Sequence, residues 1–135
     1  MMNRKYTIEQ VDYAFGGVNN QVSDDFRLVL DRALSKIAAE IVDWATMNIL
    51  FLSSNDDSFA FFMNRKDWKH FKGFVVFCES LKNNSEEEQA FTVAHELAHV
   101  KLGHRSPILA RLSQEETDRQ EEKADALAKE WLEGV

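Results

Sequence analysis

His95-Glu96-Leu97-Ala98-His99 is the stretch on which the reading of this chain turns. It lies inside the run Glu86 to Leu102, whose apolar residues Ala90, Phe91, Ala94, Leu97 and Ala98 recur at helical spacing. On a helix, residues four apart share a face one turn apart, so both imidazoles can reach a single metal ion. Glu96 then stands beside that ion. A site of this kind needs a third protein ligand, and Glu121, in Glu121-Glu122-Lys123-Ala124-Asp125, supplies it from the next helical stretch.

The chemistry follows from those residue types. His-Glu-x-x-His with a distant carboxylate is the arrangement of zinc peptidases. His95, His99 and Glu121 are the three expected ligands of one zinc ion per chain. Water takes the fourth position, and Glu96 is the expected catalytic base. Asp125, one turn after Glu121, is placed to accept the free ring N–H of a ligand histidine and fix its tautomer. The competing reading makes His95 and His99 ordinary histidines and Asp125 a solvated helix acid. Carboxylates beside an apolar stripe (Ala124, Leu127, Ala128, Trp131) are costly without a partner, which favours the metal. His104 lies nine residues after His95, and the tenth position is Arg105, so His104 reads as a helix-end histidine facing exposed carbonyls. His70, Tyr6, Tyr13 and Arg105 remain open as oxyanion donors.

Composition narrows the rest. The chain has 135 residues, 44% hydrophobic and 29% charged, which suits one domain spanning 1–135. Residues 1–23 are expected to be its poorly ordered part. Net charge is −7, with 10 basic and 11 acidic residues in 1–84 against 6 and 12 in 85–135. No basic stripe is left for direct nucleic-acid binding. There is no long apolar run for a membrane and no leader-like start. The single Cys78 excludes an internal disulfide framework, suits a reducing, cytoplasmic setting, and reads as a core thiol rather than a redox group or ligand.

Local signals divide the chain. Thr7-Ile8-Glu9-Gln10, Ser85-Glu86-Glu87-Glu88 and Ser113-Gln114-Glu115-Glu116 each fit a capping box. The first starts a short helix to about Phe15, stopped by Gly16-Gly17; the third starts a helix to about Leu132. Asp24 to about Thr46 reads as one long helix whose broad apolar face packs on a sheet or, alternatively, on a partner. Asn48–Leu52, Ser58–Met63 and Phe74–Cys78 read as strands, with a hairpin loop at Ser53–Asp57 and a basic connection from Asn64 to Gly73. The expected fold class is α+β, with an N-terminal helix and a small three-stranded, mainly antiparallel sheet. The metal helix and a C-terminal helix bearing the third ligand complete it. Phe74, Val75, Val76 and Phe77 form either a sheet edge that pairs with a substrate backbone or an ordinary interior strand.

Phe91-Thr92-Val93-Ala94-His95-Glu96-Leu97-Ala98-His99, with Glu121-x-x-Ala124-Asp125 and Leu127-Ala128, resembles the ImmA/IrrE family of small, gluzincin-like metallopeptidases. The likeness covers residues from about 74 to 132. It implies a minimal zincin-like fold and a cytoplasmic zinc endopeptidase of narrow specificity. Its substrate would be a regulatory protein, such as a helix-turn-helix repressor of a prophage or mobile element. Many members carry an N-terminal helix-turn-helix domain, for which this chain has no room, so the repressor is expected to be a separate protein. The alternative from another class is a non-catalytic, zinc-containing protein-binding module.

Overall fold

The computed structural model describes residues 4–14, 20–54, 60–64, 73–104 and 112–133. Its elements in chain order are α1 (Ile8–Ala14), β1 (Asn20–Gln21), α2 (Asp24–Leu34), α3 (Ala39–Asn48), β2 (Ile49–Ser54), β3 (Ala60–Asn64) and β4 (Gly73–Cys78). A 3-10 turn (Glu79–Asn83), α4 (Glu86–Lys101) and α5 (Gln114–Glu133) follow. The class is α+β and mostly helical, as expected.

Helix starts follow the sequence closely, because the capping residues satisfy the first orphan N–H groups locally. Thr7 Oγ1 accepts from Gln10 N at 3.1 Å while Gln10 Oε1 accepts from Thr7 N at 2.9 Å. Ser85 Oγ accepts from Glu88 N at 3.2 Å, and Ser113 Oγ from Glu116 N at 3.1 Å. The glycine stop at Gly16-Gly17, the tip of the Ser53–Asp57 loop and most of the basic connection lie outside the described residues.

The long helix expected over 24–46 is two helices. Tertiary hydrogen bonds take over where the ladder would continue. Ala38 N donates to Trp131 O at 3.1 Å and Ala39 N to Arg4 O at 2.8 Å. Ser35 Oγ also folds back on Arg32 O at 2.6 Å, a bond that competes with the helix. Splitting the helix lets Ile37 and Ala38 enter the core, where both are fully buried.

The sheet also departs from expectation. It has four strands in the order β1-β2-β4-β3, with β1–β2 and β2–β4 parallel and only β3–β4 antiparallel. The chain does reverse between β2 and β3, but β4 inserts between them. Val75 and Phe77 of β4 are fully buried, which suits an interior strand paired on both sides. Phe74–Phe77 is therefore not an edge. Its backbone is already spent on β2 (Leu50↔Phe74 onward) and β3 (Met63↔Phe74 onward), and the outer strand on that side is β3.

Phe26 of α2 stacks on Phe77 (5.8 Å between centroids), and Phe51 of β2 stacks on the same ring (6.1 Å). The apolar face of α2 thus serves the core. Cys78 is a buried thiol 3.0 Å from Ser80 Oγ, in keeping with a core role. Buried Gln89 donates through Nε2 to the carbonyls of Leu81 (3.1 Å), Lys82 (3.3 Å) and Asn84 (3.0 Å). It thereby fixes the 3-10 turn against the first turns of α4. No helix among the described residues is long and apolar enough to cross a membrane.

Candidate metal centre

The site forms where α4 meets α5. Ala94 and Ala98 on α4, and Ala124 and Ala128 on α5, are all fully buried. Side chains this small let two helix axes approach closely, which brings longer side chains beside them into mutual reach. On α4 these are His95 and His99; on α5 they are Glu121 and Asp125.

The donors converge. His95 Nε2 and His99 Nε2 are 3.0 Å apart. Glu121 Oε2 lies 2.8 Å from His95 Nε2, and Oε1 lies 3.3 Å from His99 Nε2. Metal bonds of about 2.0–2.1 Å in a tetrahedron place neighbouring ligand atoms about 3.3 Å apart. The donor groups of these three side chains therefore already have nearly the spacing a zinc ion needs. They are the one group of three or more histidine, cysteine or acidic side chains among the described residues that could hold such an ion.

Burial sets the protonation states. His99 is 2% exposed. Desolvation, with His95 and His104 beside it, pushes its pKa down to about 3, so the ring is a neutral ligand at pH 7. Glu96 is pushed up to about 8, by burial first and then by the Glu121 carboxylate. Its Oε2 is sealed from water and has no hydrogen-bond partner. A buried carboxylate in that state is costly unless a positive charge compensates it. That orphaned oxygen, within electrostatic reach of the Glu121 carboxylate and on the residue next to His95, is what a divalent cation fits.

The surrounding groups hold the rings. Asp125 Oδ1 stands 2.7 Å from His95 Nδ1. The approach is off the line of an ideal N–H···O bond, so Nδ1 counts as buried without a formal hydrogen bond, but the ion-pair distance is short. Phe91 covers another side of His95, 5.8 Å between ring centres. His104 sets its ring against His99. Its Nδ1 lies 2.9 Å from His99 Nδ1, and its pKa is lowered by burial, then by Lys123 and His95. Sequence reasoning missed this placement, although Gly103 gave the signal. A left-handed glycine just past a helix turns the next residue back over the last turn.

The remaining expectations divide. Tyr6 donates its hydroxyl to Asp43 Oδ1 at 2.6 Å, which raises its pKa, and Tyr13 is 89% exposed. Neither has a described contact with the histidines. His70 and Arg105 lie outside the described residues.

No curated protein and no solved structure matches the chain. Residues 80–132, from the 3-10 turn through most of α5, match the family model of the IrrE N-terminal-like domain. The match covers under half of the chain, but it contains His95, Glu96, His99, Glu121 and Asp125. Over this stretch the likeness to the ImmA/IrrE family therefore holds, and the match suggests a metallopeptidase type of function.

Proposed function

We propose that the chain is a zinc-dependent endopeptidase of narrow specificity. The observation that carries this reading is the convergence of His95, His99 and Glu121 next to a buried, partnerless Glu96 oxygen. A structural zinc site usually closes with four protein ligands. Here three converge, and Glu121 is half exposed, which leaves an open side.

When bound, the cation supplies a Lewis acid that polarises a water molecule and the carbonyl of a peptide bond. The chain's own groups do the rest. His95 and His99 present ring nitrogens, and Glu121 presents a carboxylate from the facing helix. Asp125 orients the His95 ring. Glu96 takes a proton from the attacking water at a carboxylate oxygen and passes it to the departing amine. Burial alone leaves Glu96 protonated at neutral pH, and a neighbouring dication restores the charged form the base needs. The outer backbone of β3, the strand nearest α4, offers an extended peptide a place to pair.

We infer a protein substrate, with a separate DNA-binding repressor as the first choice, and a cytoplasmic setting that suits the lone buried Cys78. The test is Glu96→Gln against a helix-turn-helix repressor encoded beside this chain. Cleavage should vanish while zinc stays bound. Cleavage at the wild-type rate would remove Glu96 from the mechanism. Zinc binding with no cleavage by the wild type, of this or any other neighbouring protein, would favour a non-catalytic zinc module.

A further inference from the structure

We propose that His104 is the positioning residue for His99, accepting the His99 Nδ1–H through its own Nδ1 and thereby directing the His99 Nε2 lone pair into the metal site. The proposal rests on the metal reading above and assigns the means by which its more buried ligand is held.

The geometry has two parts. The first is the helix end. Gly103 has φ +71°, Gly103 N donates to Val100 O at 3.1 Å, and His104 N donates to His99 O at 3.0 Å. Those two bonds form a Schellman turn, in which the residue after the glycine bonds back to the carbonyl six positions earlier, counting both ends. The partner of that bond is His99 itself. The backbone therefore ties His104 to the residue whose ring it meets. The second part is the ring contact: the two Nδ1 atoms are 2.9 Å apart, the centroids 5.1 Å, and the planes cross at 62°.

Tautomer chemistry then fixes the direction. At 2.9 Å one Nδ1 carries the hydrogen and the other accepts it. His99 Nε2 faces His95 Nε2 and Glu121, so it must present a lone pair to bind a cation. A neutral ring has one N–H, so His99 carries its hydrogen on Nδ1, and His104 Nδ1 is the acceptor. The same logic gives His95 its hydrogen on Nδ1, the nitrogen beside Asp125. Each ligand ring thus has its own support. One is a carboxylate from α5, and the other is an imidazole delivered by the helix end. A ligand histidine whose outer nitrogen is supported in this way loses about 10- to 100-fold in metal affinity when the support is removed.

The test compares the wild type with His104→Ala and His104→Asn, using zinc in competition with a chromophoric chelator and cobalt as a spectroscopic stand-in. The Asn amide oxygen sits close to where Nδ1 was, so it can still accept. His104→Ala should bind zinc about 10- to 100-fold more weakly, with a changed cobalt absorption band. His104→Asn should recover most of the affinity and the wild-type band. Equal zinc affinity in wild type and His104→Ala would overturn the proposal, as would a deficit in Ala that Asn fails to repair. A wild type that binds no zinc at all would instead bring down the metal reading itself, and this proposal with it.

Discussion

Asp125 Oδ1 stands 2.7 Å from His95 Nδ1, across the interface between α4 and α5. The pair links the helix that carries two donors to the helix that carries the third. Asp125→Asn keeps the acceptor and removes the charge, so zinc affinity should fall by about 10-fold. Asp125→Ala should lose up to about 100-fold. Chelator competition reads both values. Affinities unchanged from wild type would mean that the carboxylate does not support the ring.

Asp31 predicts a pH dependence of stability. It is 4% exposed, its Oδ1 has no hydrogen-bond partner, and burial, followed by Asp12, raises its pKa to about 7. An unfolded aspartate titrates near about 3.9. The folded state therefore holds the extra proton between those values, and stability falls as pH rises through the window from about 4 to about 7. Asp12 is held low, chiefly by the hydrogen bond to Asp31, so its own contribution lies below that window. Asp31→Asn still offers Asp12 an N–H donor. Measured against wild type by urea unfolding, the variant should gain relative stability from pH 4 to 7 and hold that gain above. A pH-independent difference would contradict the assignment.

Gly103 is the one residue with positive φ among the described residues, and a Cβ added there would meet nothing within 4 Å. Only the backbone resists a side chain. Gly103→Ala should cost about 1 kcal/mol, and Gly103→Asn less, because Asn tolerates the left-handed region better. Denaturant titration separates the two. A neutral Ala substitution would mean that the turn relaxes to another conformation.

Gln89 satisfies three carbonyls at once from a buried position. Gln89→Leu fills similar space but removes the donor to the Lys82 and Asn84 oxygens, while Leu81 O keeps Asn84 N, so it should destabilise by about 1–3 kcal/mol. Thermal unfolding checks this, and a change within error would show that water reaches the 3-10 turn.

What could be read in advance is what local chemistry specifies. Thr7, Ser85 and Ser113 cap their helices from within four residues, the two histidine donors fall at i, i+4 on α4, and the third donor and its neighbour Asp125 fall at i, i+4 on α5. The break between α2 and α3 was not legible, because its causes are Trp131 and Arg4, far along the chain from Ala38 and Ala39. Strand order failed for a related reason. Apolar runs announce strands but do not say which neighbour each will choose, and β4 displaced β3 from the side of β2. His104 was within reach: Gly103 announced the turn, and the turn returns to His99.

The hydrogen bond from Ala38 N to Trp131 O, with Lys5 Nζ on Leu132 O at 2.6 Å, anchors α5 at the end remote from the metal site. Ten residues of helix separate Trp131 from Glu121, a lever arm of about 15 Å. A swing of only about 4° at that hinge would carry the glutamate sideways by about 1 Å, a large fraction of a coordination bond. Aim at one end of the rod is thus governed by how firmly the other is gripped, and the grip comes from Lys5, near the opposite end of the sequence.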